Sequence, residues 1–188
     1  MVAIPRFYAS EVECEEFCDR LKLVVCPHCR RVGTLNRHGY LKGYPEGSGH
    51  LKEDKVIRGR RFFCNGRGRR PGCGRTFSLL ACEFLFGFVM VALTVWRLLR
   101  AFAGGEAPRA AFQASGSRQS KRAAYHVLRR FRQRRARLRT LLLRRCAAPD
   151  PPAGADLLGQ TVAHLEAAFP GHTCPVAAFQ RQMQVRFF

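Results

Sequence analysis

Four cysteines arranged as two pairs constrain the fold of this 188-residue chain more than any other feature. Residues 26–29 read Cys-Pro-His-Cys, and two thiolates at this spacing can hold one tetrahedral ion when the backbone turns sharply between them. The proline helps to set that turn. A second pair, at positions 64 and 73, is followed by a glycine that permits a second turn. The pattern predicts a structural Zn²⁺ site formed by Cys26, Cys29, Cys64 and Cys73.

Two strand-like segments, 35–44 and 56–64, flank a glycine-rich loop and would carry the two cysteine pairs toward each other. Eight residues separate the second pair, where two are usual in a zinc ribbon, but a loop can bulge out and return without disturbing the ligands. We therefore expect a small β zinc ribbon over residues 26–80. Alternative ligands for one position are Cys82, His28, His38 and His50.

The charge of the chain indicates a polyanionic partner. The formal net charge is +20, and no acidic residue lies between Glu106 and Asp150, whereas thirteen Lys or Arg lie over 109–145. Unpaired cations at this density repel one another unless a polyanion neutralises them, and this is the electrostatic footprint of phosphate binding. An arginine-rich composition can reflect a GC-rich genome, but that bias does not explain the shortage of acids. We expect double-stranded DNA as the partner.

Residues 81–145 have a helical pattern that glycines interrupt twice, which predicts helices over 83–102 and 107–114 and a third that Ser117 caps. The third helix has one apolar face, and polar residues crowd its beginning, as in the recognition helix of a helix-turn-helix. The candidate nucleic-acid-binding residues are Arg118, Gln119, Lys121, Arg122, Tyr125, Arg129 and Arg130 in this helix, with Arg67, Arg69 and Arg70 in the ribbon loop.

These observations predict an α+β chain in which a small β zinc ribbon precedes a mainly α helix-turn-helix bundle. The expected order is a lead-in over 1–25, the ribbon, a helical module over 81–146, a Pro- and Ala-rich linker over 147–155, and a C-terminal helix and tail over 156–188. The lead-in has an acidic helix at 11–19 and then a strand. Cys14 and Cys18 share one face of that helix and are interpreted as buried apolar residues.

Three sequence segments resemble the zinc ribbon of bacterial insertion-sequence transposases. They are Cys-Pro-His-Cys at 26–29, Arg-Arg-Phe-Phe-Cys at 60–64 and Cys-Gly-Arg-Thr-Phe-Ser at 73–78. The resemblance covers residues 24–80 and extends less specifically to about residue 132. It implies that the four cysteines bind structural zinc and that the module recognises transposon-end DNA. The eight-residue spacing between Cys64 and Cys73 departs from the pattern of that family.

The sequence contains no visible catalytic constellation, so we do not expect an enzyme. Transposase strand transfer needs acidic residues that hold two metal ions in a ribonuclease-H-like domain, and only Asp150, Asp156 and Glu166 follow the helical module. The chain is interpreted as a stand-alone DNA-binding part of a transposase-like system, acting as a homodimer or with a transposase subunit. The beginning of the sequence does not have the pattern of a signal peptide, and free thiols suit a reducing, nucleoid-associated, cytoplasmic setting.

Two other functions are kept as alternatives. An RNA-binding zinc-ribbon protein would use the 67–70 loop and the rings of Phe62, Phe63 and Phe77 to stack on unpaired bases. A structural or interaction protein would use an apolar helix over 79–99 as its interface. The uninterrupted apolar run within that segment, 84–96, is 13 residues long. A bilayer span needs about 20 apolar residues, so a buried helix is favoured over a membrane helix.

Overall fold

The structure, a computed structural model, describes residues 5–46, 55–66, 72–117, 121–151 and 153–188, with Lys121 placed by its backbone. The α+β fold class is confirmed. A four-stranded mixed sheet lies in the N-terminal part, and helices make up most of the C-terminal part. The chain divides into two compact units, the first with residues 1–44 and 50–82 and the second with residues 45–49 and 83–188.

The sheet of the first unit has the order β1-β4-β3-β2. Its strands are β1 (Phe7–Tyr8), β2 (Leu35–Gly43), β3 (Val56–Cys64) and β4 (Thr76–Ala81). Neighbouring strands are antiparallel except for β1, which pairs in parallel with β4. The predicted segments 35–44 and 56–64 are confirmed as strands, whereas the two-residue β1 was not predicted.

Helix α1 (Glu11–Asp19) packs on one face of this sheet. Ser10 caps it by accepting a hydrogen bond from the Glu13 amide at 3.2 Å, and the Glu13 carboxylate in turn accepts one from the Ala9 amide at 2.7 Å, much as in a capping box. Phe17 of α1 meets the ring of Phe62 edge-on at 5.3 Å. The predicted lead-in helix is confirmed, but a short 3₁₀ turn (Leu21–Leu23) follows it where a strand was expected.

The second unit is built from five helices among its described residues. They are α2 (Ala92–Ala103), α3 (Pro108–Ala114), α4 (Lys121–Leu143), α5 (Leu157–Ala168) and α6 (Pro175–Met183). Their shared core includes Val95, Leu98 and Leu99 of α2 and the α4 side chains that face them. Proline stands at the first position of α3, where its missing amide hydrogen is not needed.

The apolar segment 79–99 is not one helix, which corrects the expectation for it and for a helix over 83–102. Residues 79–81 belong to β4, and the helix begins only at Ala92. Between them the chain forms a loop closed by a bond from the Ala92 amide to the Glu83 carbonyl at 2.7 Å. Gly87, with φ +76°, lies in a conformation that an α-helix does not use. Within the described residues, no helix is both long enough and apolar enough to span a bilayer.

Ser117 is the predicted cap of the third helix, but residues 118–120, which connect it to the described part of α4 at Lys121, lie outside the described residues. The Ser117 hydroxyl donates to the Glu46 carboxylate at 2.7 Å. The same carboxylate accepts hydrogen bonds from the Val91 amide at 3.2 Å and the Thr94 hydroxyl at 2.8 Å. Glu46 therefore places a negative charge at the N-terminus of α2 and ties it to the α3–α4 connection.

The C-terminal segment was predicted to be one helix and a tail, but it forms two helices and its last residues are buried. Asp156 caps α5 by accepting a hydrogen bond from the Gly159 amide at 2.8 Å, and α6 is a second helix that was not predicted. Phe187 is 1% exposed, and its amide donates to the side chain of Gln180 at 3.3 Å. The side-chain amide of Gln180 donates to the Phe84 carbonyl at 3.0 Å. The last residues are thus part of the helical core.

Candidate metal centre and basic helix

The four predicted cysteines come together in the first unit. The sulfur atoms of Cys26, Cys29, Cys64 and Cys73 all lie within 4.8 Å of one another. Two contacts cross between the pairs, with 3.8 Å separating the Cys26 and Cys73 sulfurs and 3.7 Å separating those of Cys29 and Cys64. A tetrahedral ion with Zn–S bonds of about 2.3 Å requires sulfurs about 3.8 Å apart. The cluster could therefore hold a metal ion such as zinc.

The first pair lies on a tight turn. The Arg30 amide donates to the Cys26 carbonyl at 2.9 Å, and the Cys26 amide donates to the Arg31 carbonyl at 2.9 Å. Arg30 has φ +63°, a left-handed conformation that reverses the chain directly after Cys29. The His28 amide points at the Cys26 sulfur at 3.4 Å. Backbone N–H groups directed at sulfur stabilise its ionised form, which is the form that binds metal.

The second pair keeps this geometry despite its insertion. Cys64 is the last residue of β3, and the amide of Gly74 returns to its carbonyl at 3.0 Å. The Cys73 amide donates to the Cys64 sulfur at 3.2 Å. A Cβ atom on Gly72 would overlap the Asn65 carbonyl and lie 2.9 Å from that sulfur. Asn65 and Gly72, the first and last residues of the insertion, lie so close together that they form a narrow neck. Cys64 and Cys73, on either side of this neck, therefore meet as if they were close in sequence.

The environment differs between the two buried sulfurs. Burial raises the pKa of Cys26. Burial also acts to raise the pKa of Cys64, but hydrogen bonds with the Thr34 hydroxyl and the Cys73 amide, together with the neighbouring thiols, outweigh it and lower that pKa. The Cys64 thiol thus ionises more readily than the Cys26 thiol. Thr34, 4% exposed and 3.2 Å from the Cys64 sulfur, was not foreseen, because nothing in its sequence context marks it.

The alternative ligands lie elsewhere or are not described. The ring of His28 contacts the Thr76 carbonyl at 3.2 Å, and the ring of His38 packs against Phe63 with centroids 5.5 Å apart. Among the described residues, Cys82 is outside the four-sulfur cluster, and His50 lies outside those residues. Cys14 and Cys18 are buried, as interpreted, and burial raises the pKa of each.

The candidate nucleic-acid-binding residues divide into two groups. Arg67, Arg69, Arg70, Arg118 and Gln119 lie outside the described residues, and the side chain of Lys121 is not described. The remaining four, Arg122, Tyr125, Arg129 and Arg130, are exposed on α4. Tyr125 is 59% exposed, an unusual degree for an aromatic ring on a packed helix.

Helix α4 has one buried face and a strongly basic remainder. Its sequence contains nine Lys or Arg and no acid. Buried positions follow a helical period and comprise Ala124, Val127, Phe131, Leu138 and Leu142. In the part of the chain that the structure describes, no carboxylate lies within ion-pairing distance of an α4 arginine. In the sheet, by contrast, Arg60 pairs with Glu11 at 3.1 Å and with Glu15 at 2.5 Å.

The pKa of a histidine in the first half of α4 is affected by the neighbouring arginines. The ring of His126 lies against Phe88 with centroids 5.3 Å apart, and Arg129 reaches its Nδ1 at 3.3 Å. Burial lowers the pKa of His126, and the charges of Arg129 and Arg130 lower it further. Burial and the two neighbouring arginine charges therefore both disfavour the protonated form of this ring.

The stacking role considered for the ribbon aromatics does not hold for Phe62. This side chain is fully buried and stacks on the partly buried ring of Phe77 at 5.1 Å. It therefore cannot stack on a base, and its role is packing beneath the sheet.

No protein-family profile, no curated protein and no solved structure matches the chain. The geometry itself supports a four-cysteine cluster beside a small β-sheet, followed by helices.

Proposed function

We propose that this protein binds double-stranded DNA through the exposed face of α4, with a structural Zn²⁺ ion holding the first unit folded. The observation that carries the proposal is the row of α4 arginines without carboxylate partners among the described residues. A solvated helix gains stability by mixing charges at i,i+4 spacing, and α4 does not do so. DNA phosphates would supply the missing negative charge and release counterions on binding.

The proposed zinc ion has a structural role because of its ligand set. Four thiolates complete the tetrahedral shell, so no position is left open for water or substrate. The ion would connect the turn at 26–31 to the end of β3 and to the segment that leads into β4, and so add a link to the direct pairing of β3 with β4. We further propose that the chain is the DNA-binding part of a transposase-like system without a catalytic domain of its own. Support for this origin is the sequence resemblance at 26–29, 60–64 and 73–78.

DNA binding is tested by its salt dependence. Each neutralised phosphate contributes a slope of about −0.9 to a log–log plot of affinity against salt concentration. The double variant Arg134→Gln/Arg137→Gln should lower the magnitude of this slope by about 2 in fluorescence anisotropy with labelled duplex DNA. As a matched control, Arg37→Gln/Arg100→Gln removes two cations that Glu15 and Glu166 already neutralise, at 3.1 and 3.2 Å. Absence of duplex binding at low salt, or equal slopes for both variants, would contradict the proposal.

Metal binding is tested by elemental analysis of freshly purified protein. We expect one zinc per chain, and Cys29→Ser should lose the metal and the folded signals of the first unit. Cys174→Ser is the control, because that cysteine caps α6 through a bond from the Ala177 amide at 3.4 Å and lies in the other unit. The metal proposal fails if the wild-type protein contains no metal, or if Cys29→Ser retains it fully.

A further inference from the structure

The side chains on the exposed side of α4 have an ordered arrangement that the proposed DNA binding does not by itself require. An α-helix turns about 100° per residue, so the positions opposite the buried face can be identified from the sequence numbers. Five of those positions are exposed, namely Arg122, Arg129, Gln133, Ala136 and Thr140, while His126 at the margin of the same face is half-buried against Phe88. These five positions form the central line of the exposed face, and toward its C-terminal end the side chains are short and uncharged. The Thr140 hydroxyl donates to the Ala136 carbonyl at 3.1 Å and so lies close to the helix.

Two pairs of arginines flank the central line, one pair on each side. Arg130 and Arg137 are seven residues apart and share one side, while Arg132 and Arg139 share the other. The angle between the two sides, measured across the central line, is about 160°. Of these four residues three are exposed and Arg139 is partly exposed. The cations therefore point away from each other across the helix.

An α-helix with its side chains fits the major groove of B-form DNA. A helix with its side chains is about 10–12 Å across, and the major groove is about 12 Å wide. When the central line faces the floor of the groove, the two flanks face the phosphates of the two strands. Arginine can pair with guanine and glutamine with adenine, and a short residue such as alanine lets the helix approach closely.

The opposite face of α4 is packed along its length, which would hold this arrangement rigid. Phe131 in the middle lies against the ring of Phe187 at 6.1 Å. Just beyond the end of the helix, Arg145 donates to the Ala168 carbonyl at 2.7 Å and covers the ring of Phe169. A base-reading helix must be supported in this way, because a displacement of its axis would misalign its contacts.

We infer that the middle of α4, and not only its first turns, lies in the major groove. Arg129 and Gln133 face base edges, and the flanking arginines hold one strand each. This inference rests on the proposed DNA binding and specifies how the helix is oriented. It moves the centre of base recognition about two turns along the helix from its N-terminal end. It also excludes A-form RNA duplexes as equal targets, because their major groove is too narrow for a helix.

The test compares a central substitution with flanking substitutions, using a duplex selected from a random library and a scrambled duplex of equal length. Gln133→Ala should reduce the preference for the selected duplex by about 5- to 150-fold, the equivalent of one lost base contact of about 1–3 kcal/mol. Its salt slope should not change. Arg130→Gln and Arg132→Gln, one on each side, should each weaken both duplexes equally and lower the slope by about 1. All three positions are exposed, so the variants should fold like the wild type.

The outcomes separate the inference from the function on which it rests. If wild-type protein binds no duplex DNA, the proposed function fails and the inference fails with it. If duplex DNA is bound but Gln133→Ala weakens both duplexes equally, or leaves both unchanged, the DNA-binding proposal stands and the orientation is wrong. Equal affinity for a duplex RNA of the same sequence would also overturn the orientation.

Discussion

Gly72 shows how a single residue can decide whether a distant pair of ligands meets. The chain enters the insertion after Asn65 and returns at Gly72, and the Asn65 carbonyl occupies the place where a side chain at position 72 would begin. On the entering side, the Asn65 amide is fixed to the Thr34 carbonyl at 2.8 Å. Asn65 and Gly72 directly adjoin Cys64 and Cys73 in the chain, so a change in the neck would displace one of the two ligands.

We predict that Gly72→Ala lowers metal affinity strongly, because the added methyl group must displace the Asn65 backbone or the Cys64 sulfur. Gly74→Ala is the control in the same segment. It has φ +69° and no atom within 4 Å of an added Cβ, so it should cost about 1 kcal/mol of backbone strain and leave the sulfurs in place. Competition with a chromophoric chelator measures both affinities. Equal losses in the two variants would show that backbone strain, and not the neck, controls the site.

At the scale of elements, the sequence was most informative where a local pattern determines the structure. Helix α1 was predicted from an acidic segment and strand β3 from its position beside a glycine-rich loop, and both have their expected bounds. The apolar run before Ala92 was misinterpreted because composition alone does not distinguish a buried loop from a helix, although Gly87 was an available signal. Strand β1 depends on pairing with β4, some seventy residues away, and no local pattern encodes that partner.

Part of the cysteine site could likewise be predicted from local sequence, and part could not. The Cys-x-x-Cys spacing predicted the first pair, because thiolate geometry is a local constraint there. The second pair was predicted from the strand-like segments and from the glycine after Cys73, and the structure brings all four cysteines together. The support of Cys64 by Thr34 depends on the packing of two chain segments thirty residues apart, so it could be found only in the structure.

Glu46 gives a prediction at this scale, because it connects α2 to the α3–α4 segment. Glu46→Ala should lower the free energy of unfolding by about 1 kcal/mol, the usual effect of removing a helix-capping side chain. Glu106→Ala is the matched control, because it removes one exposed carboxylate between α2 and α3. Urea unfolding followed by circular dichroism measures both. A Glu106→Ala effect as large as that of Glu46→Ala would attribute the loss to net charge instead of to the hydrogen bonds.

At the scale of the whole molecule, the described residues form two separate hydrophobic cores. One surrounds the cysteine cluster and includes Phe17, Phe62 and Leu79. The other belongs to the helices and includes Trp96, Phe131 and the C-terminal phenylalanines. The first core is small and would gain stability from the proposed metal ion, whereas the second buries a larger set of apolar side chains.

The two cores predict that the units respond to different perturbations. Phe187→Ala should destabilise the helical unit by about 3–5 kcal/mol, because it removes a fully buried ring. The centroid of that ring lies 5.6 Å from the ring centroid of Phe179 and 5.0 Å from that of Phe188. Leu143→Ala, at a position 58% exposed near the end of α4, is the control and should change little. Amide hydrogen exchange resolves both units in one experiment. Phe187→Ala should increase exchange in α5 and α6 and leave β3 and the zinc content unchanged, while a chelator should increase exchange in β3 first. A uniform increase throughout the chain for either perturbation would show that the two cores unfold as one.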